Sequence, residues 1–146
     1  MGAEVLRKPW LGATAALLLS SASAFSACPV PTITGSNVRG RAHDLLGSQQ
    51  RPVTGVTVRL LNDSGKVVAQ VLGGQDGHFS ISAPERGRYR LTVMADGFLE
   101  VSAVVVVKKL GKDAPFIRVG LGSDATRPCG GGGITVEMGH TGPLSR

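Results

Sequence analysis

The sequence predicts an all-β protein, a seven-stranded antiparallel β-sandwich, on three observations. Short runs with an apolar residue at every second position recur from residue 38 to residue 119, which is the period of a strand with one face buried. Turn signals separate these runs at regular intervals: Asn62-Asp63-Ser64-Gly65, Asp76-Gly77, Pro84 to Gly87, and Gly97. After residue 24 the apolar residues do not follow the spacing of an amphipathic helix.

The chain of 146 residues fits one domain with a single modest core, and 42% apolar against 18% charged residues is the balance of a folded protein. At its start, Arg7-Lys8 precede an apolar stretch from Trp10 to Leu19 and the small-residue site Ala22-Ser23-Ala24. A basic region, a short apolar region and a small-residue cleavage site make residues 1–24 a secretory signal peptide, and the run is too short to span a bilayer. Export to the periplasm or the medium follows as the expectation, with no transmembrane segment in the mature chain. The next residues, Phe25-Ser26-Ala27-Cys28, resemble a bacterial lipobox, although Phe25 stands where an aliphatic residue is usual. Cys28 is therefore a possible lipid anchor, which would make the protein a membrane-anchored lipoprotein.

Its other use is a disulfide with Cys129, the second of the two cysteines. That bond would close a loop of 101 residues, for which the chain-entropy account gives about 4.7 kcal/mol. Two cysteines so far apart lack the close pairing of a zinc site.

Residues 25–36 are rich in Pro and Thr and read as an extended leader to a domain over 37–122. Val38, Gly40 and Ala42 alternate with Arg39, Arg41 and His43 as the first strand, followed by a polar loop from Asp44 to Thr54. Val56, Val58 and Leu60 mark the second strand, and Lys66 to Leu72 the third, joined by the Asn62 to Gly65 turn. Phe79 and Ile81 make the fourth; in the fifth, Tyr89, Leu91 and Val93 point opposite to Arg88, Arg90 and Thr92. The sixth runs from Leu99 to Val107, where four consecutive valines suit burial on both faces and Lys108-Lys109 act as gatekeepers. Phe116, Ile117 and Val119 make the seventh, and residues 123–146, with Gly130 to Gly133, read as a flexible tail.

From Phe25 onward the chain carries 14 basic and 9 acidic residues, a net charge of +5. Arg39 with Arg41, Arg88 with Arg90, and Arg59 recur at strand spacing, so that one basic outer face is expected if their strands are neighbours. Nucleic acid is not the expected partner, because export places the chain in the wrong compartment and no aromatics interleave with the cations.

One string of residues carries a family resemblance: Gly40, Asp44, Gly47, Pro52-Val53, Gly55-Val56, Val58, Leu60, Gly65, Asp76-Gly77, Phe79, Pro84, Gly87, Tyr89, Leu91, Val93, Ala95 and Gly97-Phe98. It resembles the carboxypeptidase regulatory-like domain over roughly residues 38–108, with Gln49-Gln50-Arg51 lengthening the loop before Pro52. The resemblance implies a prealbumin-like sandwich, of the transthyretin-like and starch-binding-like kind. It also implies a non-catalytic module of exported proteins, without a cofactor.

The residues agree with a non-enzyme reading. Related transthyretin-like hydrolases use histidines and an arginine with a C-terminal Tyr-Arg-Gly-Ser signature, whereas this chain ends Gly142-Pro143-Leu144-Ser145-Arg146. His43, His78 and His140 stand isolated in strand, turn and tail, which offers neither an acid-base pair nor a metal site. Calcium takes roughly 6 to 8 oxygens, and the Asp76-Gly77 and Asn62-Asp63 turns hold one acid each. Neither Gly73-Gly74 nor Gly130 to Gly133 is followed by the Lys-Ser or Lys-Thr of a phosphate loop.

A bacterial envelope or extracellular binding module is the functional expectation, its ligand a protein or a glycan. Carbohydrate binding needs exposed aromatic faces, and with Phe79, Tyr89 and Phe98 assigned to the core, Phe116 and Phe25 are the aromatics free to serve. A protein partner would use an open sheet edge or the tail. The candidate ligand surface is Arg39, Arg41, Arg59, Arg88, Arg90 and Phe116.

Overall fold

A computed structural model describes residues 28–46, 49–111 and 114–137. The expected signal peptide, the residues just before Cys28, and His140 with the end of the tail lie outside the described residues. Among the described residues nine strands are formed: β1 (Thr32–Thr34), β2 (Asn37–Asp44), β3 (Thr57–Leu61), β4 (Val67–Leu72), β5 (His78–Ser82), β6 (Gly87–Met94), β7 (Val101–Val107), β8 (Phe116–Leu121) and β9 (Gly133–Glu137). They make a five-stranded sheet in the order β1-β7-β6-β3-β4 and a four-stranded sheet in the order β5-β2-β8-β9.

The seven expected strands appear as β2 to β8, and their inward residues form the layer between the sheets. Val56, Val58, Leu60, Leu91, Val93 and Val105 are fully buried from one sheet, and Ala42, Ile117, Val119 and Leu121 from the other. Phe79, Ile81 and Tyr89 join the same core. Removing so much branched apolar surface from water supplies the main driving force for the fold. The four valines from Val104 to Val107 alternate rather than being buried on both faces: Val105 and Val107 are buried and Val104 and Val106 half-buried.

Local turn chemistry holds the β3–β4 hairpin. The Asn62 side-chain oxygen accepts from the Ser64 N–H at 3.1 Å and the Lys66 N–H at 2.9 Å, and Gly65 takes φ +81°. At the start of β5, Gly77 takes φ +77°, and a Cβ there would collide with the Ala42 carbonyl. Only glycine meets both demands.

Three expectations are corrected. The leader is not merely extended: Thr32–Thr34 pairs in parallel with β7, Thr32 opposite Val104 and Ile33 opposite Val105, and Ile33 is fully buried. The sheets are also mixed, because β2 pairs in parallel with β8. The third concerns the tail, which forms a 3₁₀ turn over Pro128–Gly131 and then β9, antiparallel to β8 with Ile134 buried. Two of its glycines, Gly130 and Gly132, are packing residues. A Cβ on Gly130 would strike the Gly122 carbonyl, and one on Gly132 the Gly120 carbonyl. The run permits two backbones to touch instead of serving as a loose tether.

Cys28 and Cys129 are joined by a disulfide, with their Cα atoms 5.5 Å apart. The bridge ties the segment before β1 to the 3₁₀ turn before β9.

Candidate functional site

The outer face of the four-stranded sheet collects the chemistry. Because β5, β2, β8 and β9 are neighbours in that order, one row of register partners runs His78, Arg41, Arg118, Thr135 across all four strands. The row beside it runs Ser80, Arg39, Phe116, Glu137. On the other side His43 stands opposite Gly120, and Gly120 opposite Gly133, and the Leu45 side chain packs over Gly120.

These rows enclose a cavity of about 170 Å³ lined by Arg41, His43, Gln50, His78, Phe116, Arg118 and Glu137. A second, wider groove of about 480 Å³ shares His43, Gln50 and Arg118 with it and continues over Gly131 to Gly133, flanked by Leu45 and Pro29. Gly120 and Gly131 to Gly133 add no side chains to this groove, whose other lining includes Ile134 and Thr135, with Leu45 packed over Gly120.

One ion pair and one imidazole–carboxylate contact involve residues that line the cavity. The Arg118 Nε lies against Glu137 Oε1 at 2.5 Å, and His78 Nδ1 lies 2.9 Å from Asp76 Oδ2. The His78 ring is tilted against Phe116, with centroids 6.4 Å apart. Burial, followed by the positive charges of Arg118 and Arg41, holds His43 below its ordinary pKa, against a smaller opposing pull from Asp44. The backbone N–H of His78, then its side chain, keeps the Asp76 carboxyl below the usual carboxylate range.

The expected single basic face is divided between opposite sides of the sandwich. Arg39, Arg41 and Phe116 lie on the four-stranded sheet, while Arg59, Arg88 and Arg90 belong to the five-stranded one. The strands carrying the two sets are not neighbours. Arg59 donates to the Gln70 side-chain oxygen at 2.9 Å, and Arg88 and Arg90 border a separate groove with Val30 and Asn62. Arg39 turns toward the Ala114 carbonyl, 3.4 Å away.

His43 and His78, isolated along the chain, share one cavity, and Arg118, Gln50 and Glu137, none of them a site candidate in the sequence, join them. The period-2 pattern places Arg118 outward but does not say which strands flank it. Among the described residues no three His, Cys, Asp or Glu side chains come together as a metal ion would require. What the face offers is two guanidinium groups, two imidazoles and an amide around a small cleft, a set rich in hydrogen-bond donors.

A model of the carboxypeptidase regulatory-like domain family matches residues 37–118. Among solved structures, the chain is similar to 5-hydroxyisourate hydrolase from Klebsiella pneumoniae, at 20% identity and a TM-score of 0.49, covering 70% of this chain and 98% of that one. It is also similar to catechol 1,2-dioxygenase from Pseudomonas arvilla C-1, at 12% identity and a TM-score of 0.36, covering 75% of this chain and 56% of that one. No curated protein matches.

Proposed function

This chain belongs to the carboxypeptidase regulatory-like domain family, a non-catalytic family with a prealbumin-like sandwich, and on that premise we propose that it is an exported, non-catalytic binding module of the cell envelope or extracellular space. The observation that carries export is the Cys28–Cys129 bridge, since such bonds persist in oxidising compartments. The signal-peptide pattern of residues 1–24 supports the same reading. The open cleft on the outer sheet face supports binding.

Phe116 favours a second reading, a carbohydrate-binding module, because this half-buried ring lines the cleft beside polar groups. A third, an envelope lipoprotein that binds a protein partner, requires Cys28 to be acylated. Lipid attachment and the bridge compete for the same sulfur.

The intact mass of the protein from separate soluble and membrane fractions of its host tests the proposal. A soluble species beginning near Phe25 that gains about 2 mass units on reduction is expected, from a bridge of two cysteines. A membrane species beginning at acylated Cys28 would replace this reading with the lipoprotein one, and an unprocessed chain confined to the cytosol would overturn both.

A further inference from the structure

We propose that the outer face of the four-stranded sheet is an oxyanion site, which takes the carboxylate, phosphate or sulfate group of a small ligand between Arg41 and Arg118. The inference rests on the reading of the chain as a binding module and names the class of ligand.

Arg41 and Arg118 stand directly opposite each other on parallel neighbouring strands, an arrangement of like charges that destabilises a sheet. Glu137 offsets Arg118. Among the described residues no carboxylate pairs with Arg41. An oxyanion between the two guanidinium groups would supply the missing negative charge, and the planar fork of arginine suits the oxygens of a carboxylate or phosphate.

Size decides how the ligand lies. The cleft of about 170 Å³ is smaller than the roughly 300 Å³ at which sites for whole organic ligands begin, so it holds the charged group alone. The rest of the ligand extends over Gly131 to Gly133 in the adjoining groove of about 480 Å³. His43 and Gln50 line both spaces and stand where the anionic group would join the body of the ligand.

His43 also reports occupancy. The charged groups that act on it are Arg41 and Asp44 on its own strand and Arg118 on β8, while His78 and Glu137 share the cleft. An anion among them favours the protonated imidazole, so His43 titrates at higher pH when the site is filled.

Proton NMR of the His43 and His78 rings in the full mature chain, titrated at constant ionic strength, is the test. Inorganic phosphate, glucuronate and glucose are the probes, with chloride as the balancing salt. Saturable shifts of both rings with phosphate or glucuronate, and none with glucose or chloride, are expected. Response to glucuronate alone assigns an organic carboxylate, and response to phosphate alone a phosphate group. Arg41→Gln should weaken binding about tenfold or more, the effect of losing a charge-assisted hydrogen bond, while Lys66→Gln at the exposed β3–β4 turn should leave it unchanged. No saturable shift with either oxyanion overturns the proposal, as does an equal loss in Lys66→Gln, which would reveal general charge attraction. If Arg41→Gln does not fold, the wild-type titrations with their chloride and glucose controls decide alone. Fractionation tests export and titration tests the site, so either reading can fail without the other.

Discussion

The Tyr89 hydroxyl donates a 2.8 Å hydrogen bond to the Glu85 carbonyl, from a ring that is 7% exposed. One residue therefore fills the core and fastens the turn that leads into its own strand. Tyr89→Phe removes only the hydrogen bond and should cost about 1 kcal/mol. Tyr89→Ala removes the ring as well and should cost roughly 3–5 kcal/mol, as for other large aromatic truncations. Urea unfolding of the two variants measures both, and equal losses would show that the ring contributes no packing.

The bridge makes a second prediction, in two parts. Opening a 101-residue loop should lower stability by up to about 4.7 kcal/mol in the chain-entropy account, measured by urea unfolding with and without reductant. Cys129 also sits at φ 56° and ψ 27°, the left-handed region that costs a side-chain-bearing residue about 1–2 kcal/mol. The unbridged pair Cys28→Ala with Cys129→Gly should therefore be more stable than Cys28→Ala with Cys129→Ala by about 1 kcal/mol. Equal stability would place the backbone of residue 129 elsewhere.

Ile33 tests the domain boundary. It is fully buried and paired with Val105, so Ile33→Ala should cost about 2–5 kcal/mol. A chain beginning at Asn37 loses β1 altogether and bares the β7 backbone edge beside the half-buried Val104 and Val106, which invites edge-to-edge association. Light scattering under reducing conditions should show that chain associating where the longer one, its Cys28–Cys129 bridge likewise open, stays dispersed. Full stability of the shortened chain would restore the boundary to residue 37.

The strands from β3 to β6 were legible because their signals are local. Val56, Val58 and Leu60 alternate in plain view, and Asn62, Gly65 and Gly77 announce their turns. β1 escaped because Thr-Ile-Thr is too short to show a period, and its partner Val105 lies far along the chain in a parallel pairing with no hairpin to mark it. β9 escaped because a run of glycines has the composition of a linker, while its reason, contact with the backbone of Gly120 and Gly122, is tertiary. The cleft was hidden for a related cause. Alternation turns Arg41, His78 and Arg118 outward, but only the order β5-β2-β8 makes them neighbours. The same order explains why Arg59, Arg88 and Arg90, equally legible as outward residues, do not join them.

Acid should weaken the fold through His43 before it does so through the carboxylates. The folded pKa of His43 lies below its ordinary 6.5, chiefly from burial and then from Arg118 and Arg41, so the unfolded chain binds the proton more readily. Stability contributed by the neutral imidazole is present above about pH 6.5 and is lost as the pH falls from there through the folded value. Asp76, held below 3.8 mainly by the His78 backbone N–H, contributes above that value and loses its contribution only as the pH falls through its lower folded pKa. Thermal melts of wild type and His43→Gln between about pH 5 and 8, the range in which an imidazole titrates, should separate the two effects. The wild-type midpoint should fall on acidification while that of the variant falls less. Chloride should be the only added anion, because an oxyanion held between Arg41 and Arg118 favours protonated His43 and flattens the wild-type profile. Parallel profiles in chloride would mean that His43 feels neither the burial nor the two guanidinium groups assigned to it.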